Sequence, residues 1–261
     1  MRAWRLAAPA AVGWAAMCGR ISLYSDPDYL ARIFDSQLGP DVDPDARPSW
    51  NVPPTESVLA VTAVGARRAD AAASAPVTVH RELGPYKWGF VPTWAKDVGV
   101  GSRMFNARAE TVRSKPSYRS AFTARRLVVV ADGFYEWKPG GTKRPYYFTR
   151  ADGRPLALAG LWEQWWGGPD ARPGDDRPAL RTCTIITTTA GPDMGDVHDR
   201  MPVVLEDDTL DDWLDPGNRD QPELESLLVP SPAGTLRSRP VAKEVGNVRN
   251  DGPELIEPFE D

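Results

Sequence analysis

Four short segments of the sequence concentrate side chains that can do chemistry. They are Met17-Cys18-Gly19-Arg20, Phe105 to Thr111, Ala131 to Trp137, and Val197 to Pro202. Between them they supply a thiol (Cys18), an amide (Asn106), a carboxylate (Glu136) and an imidazole (His198). That set suits attack by a nucleophile with general acid–base assistance. Each residue taken alone has an ordinary role open to it. Asn106 can cap a helix, Glu136 can pair with an arginine, and His198 can be a plain loop histidine. Spacing alone does not bring the four together. The only other histidine, His80, lies in a strand-like stretch with polar neighbours and reads as an ordinary strand residue. The only other cysteine, Cys183, sits in the β-branched run Thr182 to Thr187 and reads as a buried strand residue. The sequence has no phosphate-binding glycine loop, no CxxC pair and no HExxH, and two histidines are too few for a histidine-rich metal site. No metal and no cofactor are expected.

Short elements must position these groups. Proline accounts for 26 of 261 residues, roughly twice the usual ~5%. Proline is excluded from helix interiors and central strands, so many irregular connections are expected. Asp26-Pro27 reads as an N-cap followed by proline at the first helical position, opening a helix that runs to about Phe34. Strands are predicted at 57–64, 77–83, 86–91, 127–131, 156–162 and 181–189, and a hairpin joins 134–137 to 146–148. Helices are predicted at 107–112, 117–126, 208–214 and 222–228, and residues 65–76 read as a surface loop. Strands do not alternate regularly with helices. This points to an α+β domain built on largely antiparallel sheet, not to a doubly wound parallel sheet. No internal repeat or long linker divides the chain.

The formal net charge is −5, which argues against wholesale binding of a polyanion. The distribution is uneven, however. From Arg103 to Arg126 seven basic residues face the single carboxylate of Glu110. That stretch is either a local anion site or a solvated helix face. Two thiols make no disulfide framework and suit a reducing cytoplasm. No run reaches the ~18 apolar residues that a membrane span needs. Residues 1–17, with Arg2 and Arg5 ahead of an alanine-rich stretch, leave three readings: a secretory or lipoprotein signal, a pro-segment, or upstream sequence ahead of a start at Met17. Pro9, Gly13 and Trp14 interrupt the stretch. Met17 also stands where signal cleavage wants a small residue.

Seven ordered motifs resemble the SOS-response-associated peptidase (SRAP) family. They are Met17 to Arg20, Trp50-Asn51-Val52-Pro53-Pro54, Trp88 to Trp94, Asn106 to Thr111, Gly133 to Trp137, His198 to Pro202, and Val245 to Asn250. The likeness runs from Cys18 nearly to the C-terminus. It implies a single SRAP-like domain over 18–261, a mixed sheet with a barrel-like core and short helices, and an extra segment 1–17. It also implies that Met17 is removed, so that Cys18 carries an α-amine beside its thiol. Their unperturbed pKa values of ~7.7–8.0 and ~8.5 leave both usable near neutral pH. An amine and a thiol on one residue can close an aldehyde carbon into a thiazolidine. The resemblance thus implies trapping of abasic sites in single-stranded DNA, and it favours Met17 as the working start.

By the same resemblance, Glu136 is the general acid–base and Asn106 holds the nucleophile and sugar. His198 contacts the phosphate or sugar on the 3′ side. Arg20, Arg108 and Arg200 bind flanking phosphates. Trp94 and Phe105, with Trp88 and Phe90 behind them, offer stacking faces for a single strand. A monomer in the cytoplasm is expected, nucleoid-associated in a bacterium. Three other functions compete: a cysteine peptidase that frees its own Cys18, a non-covalent single-strand DNA reader, and a lipoprotein anchored through Cys18.

Overall fold

The computed structural model describes residues 18–43, 46–66, 78–140, 143–168, 171 and 179–259. Segment 1–17 and most of the 65–76 loop lie outside the described residues. In chain order the strands are β1 (Ile21–Leu23), β2 (Gln37–Leu38), β3 (Ser49–Val52), β4 (Ser57–Ala66), β5 (Thr78–Trp88), β6 (Asn106–Arg108) and β7 (Arg126–Ala131). They continue with β8 (Gly133–Trp137), β9 (Pro145–Arg150), β10 (Leu156–Trp165), β11 (Leu180–Thr189), β12 (Arg200–Pro202) and β13 (Leu236–Pro240). The α-helices are short: α1 (Pro27–Ile33), α2 (Ala109–Val112), α3 (Arg119–Ala124), α4 (Asp207–Leu214) and α5 (Gln221–Ser226). None among the described residues is long and apolar enough to cross a membrane.

Two sheets carry the fold. A five-stranded sheet runs β13-β9-β8-β1-β3, antiparallel throughout. The larger sheet runs β12-β11-β10-β7-β4-β5-β2. Its β5 also pairs back onto β11, through Thr182↔Lys87 and Cys183↔Trp88. That contact closes a ring of β4, β5, β11, β10 and β7. The expected mixed α+β architecture with short helices is therefore what the chain adopts.

Strand β7 shows how sequence pattern becomes packing. Its residues Leu127 to Ala131 are all fully buried. Side chains alternate across a strand, so a continuous apolar run must be covered on both faces. Val128 and Val130 join one apolar cluster with Leu30, Phe122 and Trp213. Leu127, Val129 and Ala131 join another with Cys18, Ile21, Trp88 and Phe134. The second cluster is the floor under the reactive residues.

Several boundaries differ from those read in the sequence. In place of separate strands at 77–83 and 86–91, a single strand, β5 (Thr78–Trp88), runs through Pro85 and ends before Gly89. Pro85 falls between the part of β5 that pairs with β2 and the part that pairs with β11. On that edge there is no ladder for its missing N–H to interrupt. Residues 107 and 108 of the expected 107–112 helix are drawn with Asn106 into β6 by parallel pairing with β11, which leaves α2 a single turn. The helix at Asp26 forms as read, with the Asp26 side chain accepting from the N–H groups of Asp28 and Tyr29.

Candidate active site

Strand β1 carries the N-terminal motif to β8. The two pair antiparallel at Ile21↔Phe134 and Ser22↔Gly133, and the Tyr135 N–H donates to the Arg20 carbonyl at 3.0 Å. The register sets Cys18 beside Glu136. The backbone N–H of Cys18 donates to Glu136 Oε1 at 2.5 Å. Glu136 is 2% exposed, and burial pushes its carboxyl up to about 8, only partly offset by the N–H groups of Cys18 and Trp137. The nearby charge of Asp199 pushes the same way as burial. A carboxyl poised near neutral pH can both give and take a proton.

Cys18 itself is fully buried. Burial first, and the Glu136 charge second, raise its thiol well above the usual range. It therefore rests as S–H and needs a proton acceptor before it can attack. With a residue before it, Cys18 also sits at φ 41°, in the left-handed region. A non-glycine residue there costs about 1–2 kcal/mol.

Asn106 arrives on the neighbouring sheet. Strand β6 pairs parallel with β11, Asn106 opposite Ile185, and Asn106 Nδ2 donates to the Cys18 carbonyl at 3.5 Å. Buried Trp88 fixes this strand from below: its indole Nε1 donates to the Phe105 carbonyl at 2.9 Å. The rings of Trp88 and Phe105 meet edge to face at 6.0 Å. The loop after β5 is pinned where Gly89 and Gly101 meet backbone to backbone. A Cβ on Gly89 would come within 2.8 Å of the Gly101 carbonyl oxygen, and the φ of +144° at Gly89 disfavours any side chain.

His198 lies on the loop leading into β12. Met194, Val197 and Met201 from this segment pack into the same apolar cluster as Cys18. An ion pair between Lys138 and Asp196 ties the loop to the end of β8. His198 Nδ1 lies 3.1 Å from the Arg200 N–H nitrogen and 2.9 Å from Asp199 Oδ1. Burial lowers the imidazole's proton affinity, Arg200 lowers it further, and Asp199 opposes both. Cys18 thus touches both Glu136 and Asn106, and His198 stands on a loop whose Asp199 acts on Glu136. The cavities of about 480, 560 and 600 Å³ elsewhere on the molecule are lined by other residues.

The flanking residues divide more sharply than the sequence suggested. Trp88 and Phe90 are fully buried and have no face to offer a base; this corrects their reading as stacking residues. Trp94 is 57% exposed, and Phe105 is partly buried at the edge of the Cys18 cluster. Arg20, read as a phosphate ligand, is buried. Its Nη1 donates to Asn51 Oδ1 at 2.5 Å and to the Val245 carbonyl at 2.8 Å. Arg200 is also engaged, by both oxygens of Glu110 at 2.7 and 3.1 Å and by the Thr187 carbonyl at 2.6 Å. A phosphate could reach it only in competition with Glu110. Arg108 is exposed. In the basic run, Arg113 pairs with Glu225 and Arg125 with Glu163. Arg126 is buried among backbone carbonyls that include those of Trp213 and Asp215. Arg103, Arg108, Lys115 and Arg119 remain exposed.

A family model described as SOS response associated peptidase (SRAP) matches residues 17–248. The chain belongs to the SRAP family. Among similar proteins, Abasic site processing protein YoqW of Bacillus subtilis (strain 168) is 38% identical over 244 residues, covering 92% of this chain and 99% of its own. Abasic site processing protein YedK of Escherichia coli (strain K12) is 30% identical over 247 residues, covering 93% and 100%. Abasic site processing protein HMCES of Gallus gallus is 34% identical over 238 residues, covering 82% and 67%. A crystal structure of a protein from Bacteroides thetaiotaomicron superposes with a TM-score of 0.76 at 21% identity, covering 93% of this chain and all of that one. That likeness shows the fold.

One part of this SRAP chain escaped the sequence reading. Asn51 Nδ2 donates to the carbonyls of Val245, Asn247 and Asn250 at 3.2, 3.1 and 2.7 Å. Two of the seven motifs are therefore one clamp, with Arg20 as its third member. Three asparagines among short polar motifs were the only hint, and they do not say which carbonyls they meet.

Proposed function

We propose that this protein processes abasic sites in DNA by trapping them covalently on Cys18 in a single strand. The observation that carries the reading is the 2.5 Å contact between the Cys18 nitrogen and a buried carboxyl held up to about 8. The names of its SRAP relatives support the substrate class.

The reading requires Cys18 to be the first residue of the working chain, after loss of Met17 and whatever precedes it. The nitrogen beside Glu136 is then an α-amine, and no preceding residue holds Cys18 at an unfavourable φ. The amine adds to the aldehyde carbon of the ring-opened deoxyribose and forms a carbinolamine. Protonated Glu136 gives its proton to the departing hydroxyl, which leaves as water and yields an iminium. The Glu136 carboxylate next takes the thiol proton, and sulfur bonds to the iminium carbon. The product is a five-membered thiazolidine, with one water lost overall and Glu136 returned to its starting state. Its raised proton affinity suits both halves of this cycle, and the buried thiol needs the second.

Asn106 holds the Cys18 carbonyl, and His198 faces the lesion from the β12 side. Arg108 and the other exposed basic residues take phosphates, while Trp94 and Phe105 meet bases. Binding weakens with added salt as counterions are released. A protein with one alanine inserted between Met17 and Cys18 tests the reading against an internal-thiol peptidase. Loss of the DNA adduct on denaturing gels is expected. An adduct of undiminished yield would overturn the thiazolidine.

A further inference from the structure

His198 Nδ1 sits between two groups that ask opposite things of it. The Arg200 N–H, at 3.1 Å, needs a lone pair there. The Asp199 carboxylate, with Oδ1 at 2.9 Å, needs a proton there. One ring nitrogen cannot satisfy both at once. If Arg200 prevails, the neutral ring carries its proton on Nε2, which is then a fixed donor and no base. If Asp199 prevails, the proton sits on Nδ1, and Nε2 is free to take or give a proton through the imidazolium. We propose that Asp199 is a positioning residue for His198: it favours the forms with Nδ1 protonated and so gives Nε2 its capacity for proton transfer at the lesion.

The wider surroundings fit this role. The loop is held by the Lys138–Asp196 ion pair and by the Asp199 carbonyl, which accepts from the Ala190 N–H at 2.9 Å. The Asp199 backbone is thereby fixed while its side chain stays 90% exposed. Arg200 is the opposing positive charge, and it is neutralised in turn by Glu110. Glu136, on β8, is the other titratable group on which Asp199 acts. Asp199 thus biases both proton-handling residues in one direction, toward holding a proton. Its exposure keeps the effect modest and salt-dependent.

The functional consequence rests on the abasic-site reading, but the central claim can be tested without DNA. The chain has only two histidines, so ¹⁵N NMR of the imidazoles yields two titrations, and His80→Gln assigns them. In Asp199→Asn the His198 midpoint is expected to fall by about half a pH unit. The neutral ring is expected to shift toward the Nε2–H tautomer. Asp199→Glu is expected to restore both, and high salt to shrink the difference. Any His198-dependent limb in the pH profile of adduct formation moves by the same amount. An unchanged midpoint and tautomer in Asp199→Asn would overturn the proposal, whatever the DNA assay showed. Absence of an adduct in the parent protein would instead count against the trapping reading and leave the NMR result standing.

Discussion

Cys18 and Arg20 stand two residues apart in one motif, both buried, and the fold uses them in opposite ways. Arg20 places its donors on Asn51 and the Val245 carbonyl, and Asn51 completes the clamp on three carbonyls of the C-terminal segment. Every group named there has a fixed partner, so this region holds structure. Around Cys18 the pairing is left incomplete. Among the described residues Glu136 receives two backbone N–H groups but no cation, and burial leaves its proton loosely committed near neutral pH. A buried polar group that is fully paired stiffens the fold. One whose charge is left uncompensated has a shifted proton affinity and becomes available for chemistry.

The contrast breaks most completely at Cys18. Cys18→Ala is expected to abolish the adduct with abasic single-stranded DNA while the protein stays folded by circular dichroism; a residual adduct of equal yield would place the nucleophile elsewhere. Glu136→Gln comes next, with adduct formation slowed by about 100-fold in rapid-quench assays. The same variant carries a stability signature. The Glu136 value is raised in the folded state. It therefore contributes stability that is fully present below the ordinary value near 4.5 and is lost as pH rises through about 8. The parent should lose on the order of a few kcal/mol relative to Glu136→Gln across that window, as read by denaturant titration at pH 4.5 and 9.

Asn51→Ala should behave in the opposite way. It leaves buried carbonyls and Arg20 short of partners, at a cost of about 2–3 kcal/mol, and melting should shift down. Adduct formation well below the melting range should stay close to the parent rate. A rate collapse without a melting shift would merge the two regions. The smallest effects are expected at the rim. Trp94→Ala should weaken single-strand binding by about 1–3 kcal/mol if it stacks on a base. Arg108→Ala should flatten the salt dependence by about 0.7 in slope. Fluorescence anisotropy over a salt series reads both.

The sequence made the long elements legible because their patterns were strong. The apolar run of β7, the Asp26-Pro27 helix start and the β8–β9 hairpin all form as read. Strands β1, β3, β12 and β13 were not seen, because three to five residues of mixed polarity carry little periodicity. The parallel pairing of β6 with β11 joins segments far apart in the chain, which no local pattern encodes. In the site, residue types and motif order singled out Cys18, Asn106, Glu136 and His198, but the contact of Cys18 with Glu136 depends on the β1–β8 register and its contact with Asn106 on the β6–β11 pairing. The arginines were least legible. Arg20, Arg108 and Arg200 look alike in sequence, and only the fold reveals that two of them already have partners. Burial likewise separates Trp88 and Phe90 from Trp94, although all three fall in one short motif.

The most direct measurement is intact-protein mass spectrometry of a chain started at Met17, before and after incubation with single-stranded DNA that holds one abasic site. The expected result is a protein lacking Met17, then a single adduct whose mass equals protein plus DNA less one water. A protein with a clean Cys18 terminus that gains no DNA mass would contradict covalent trapping at Cys18.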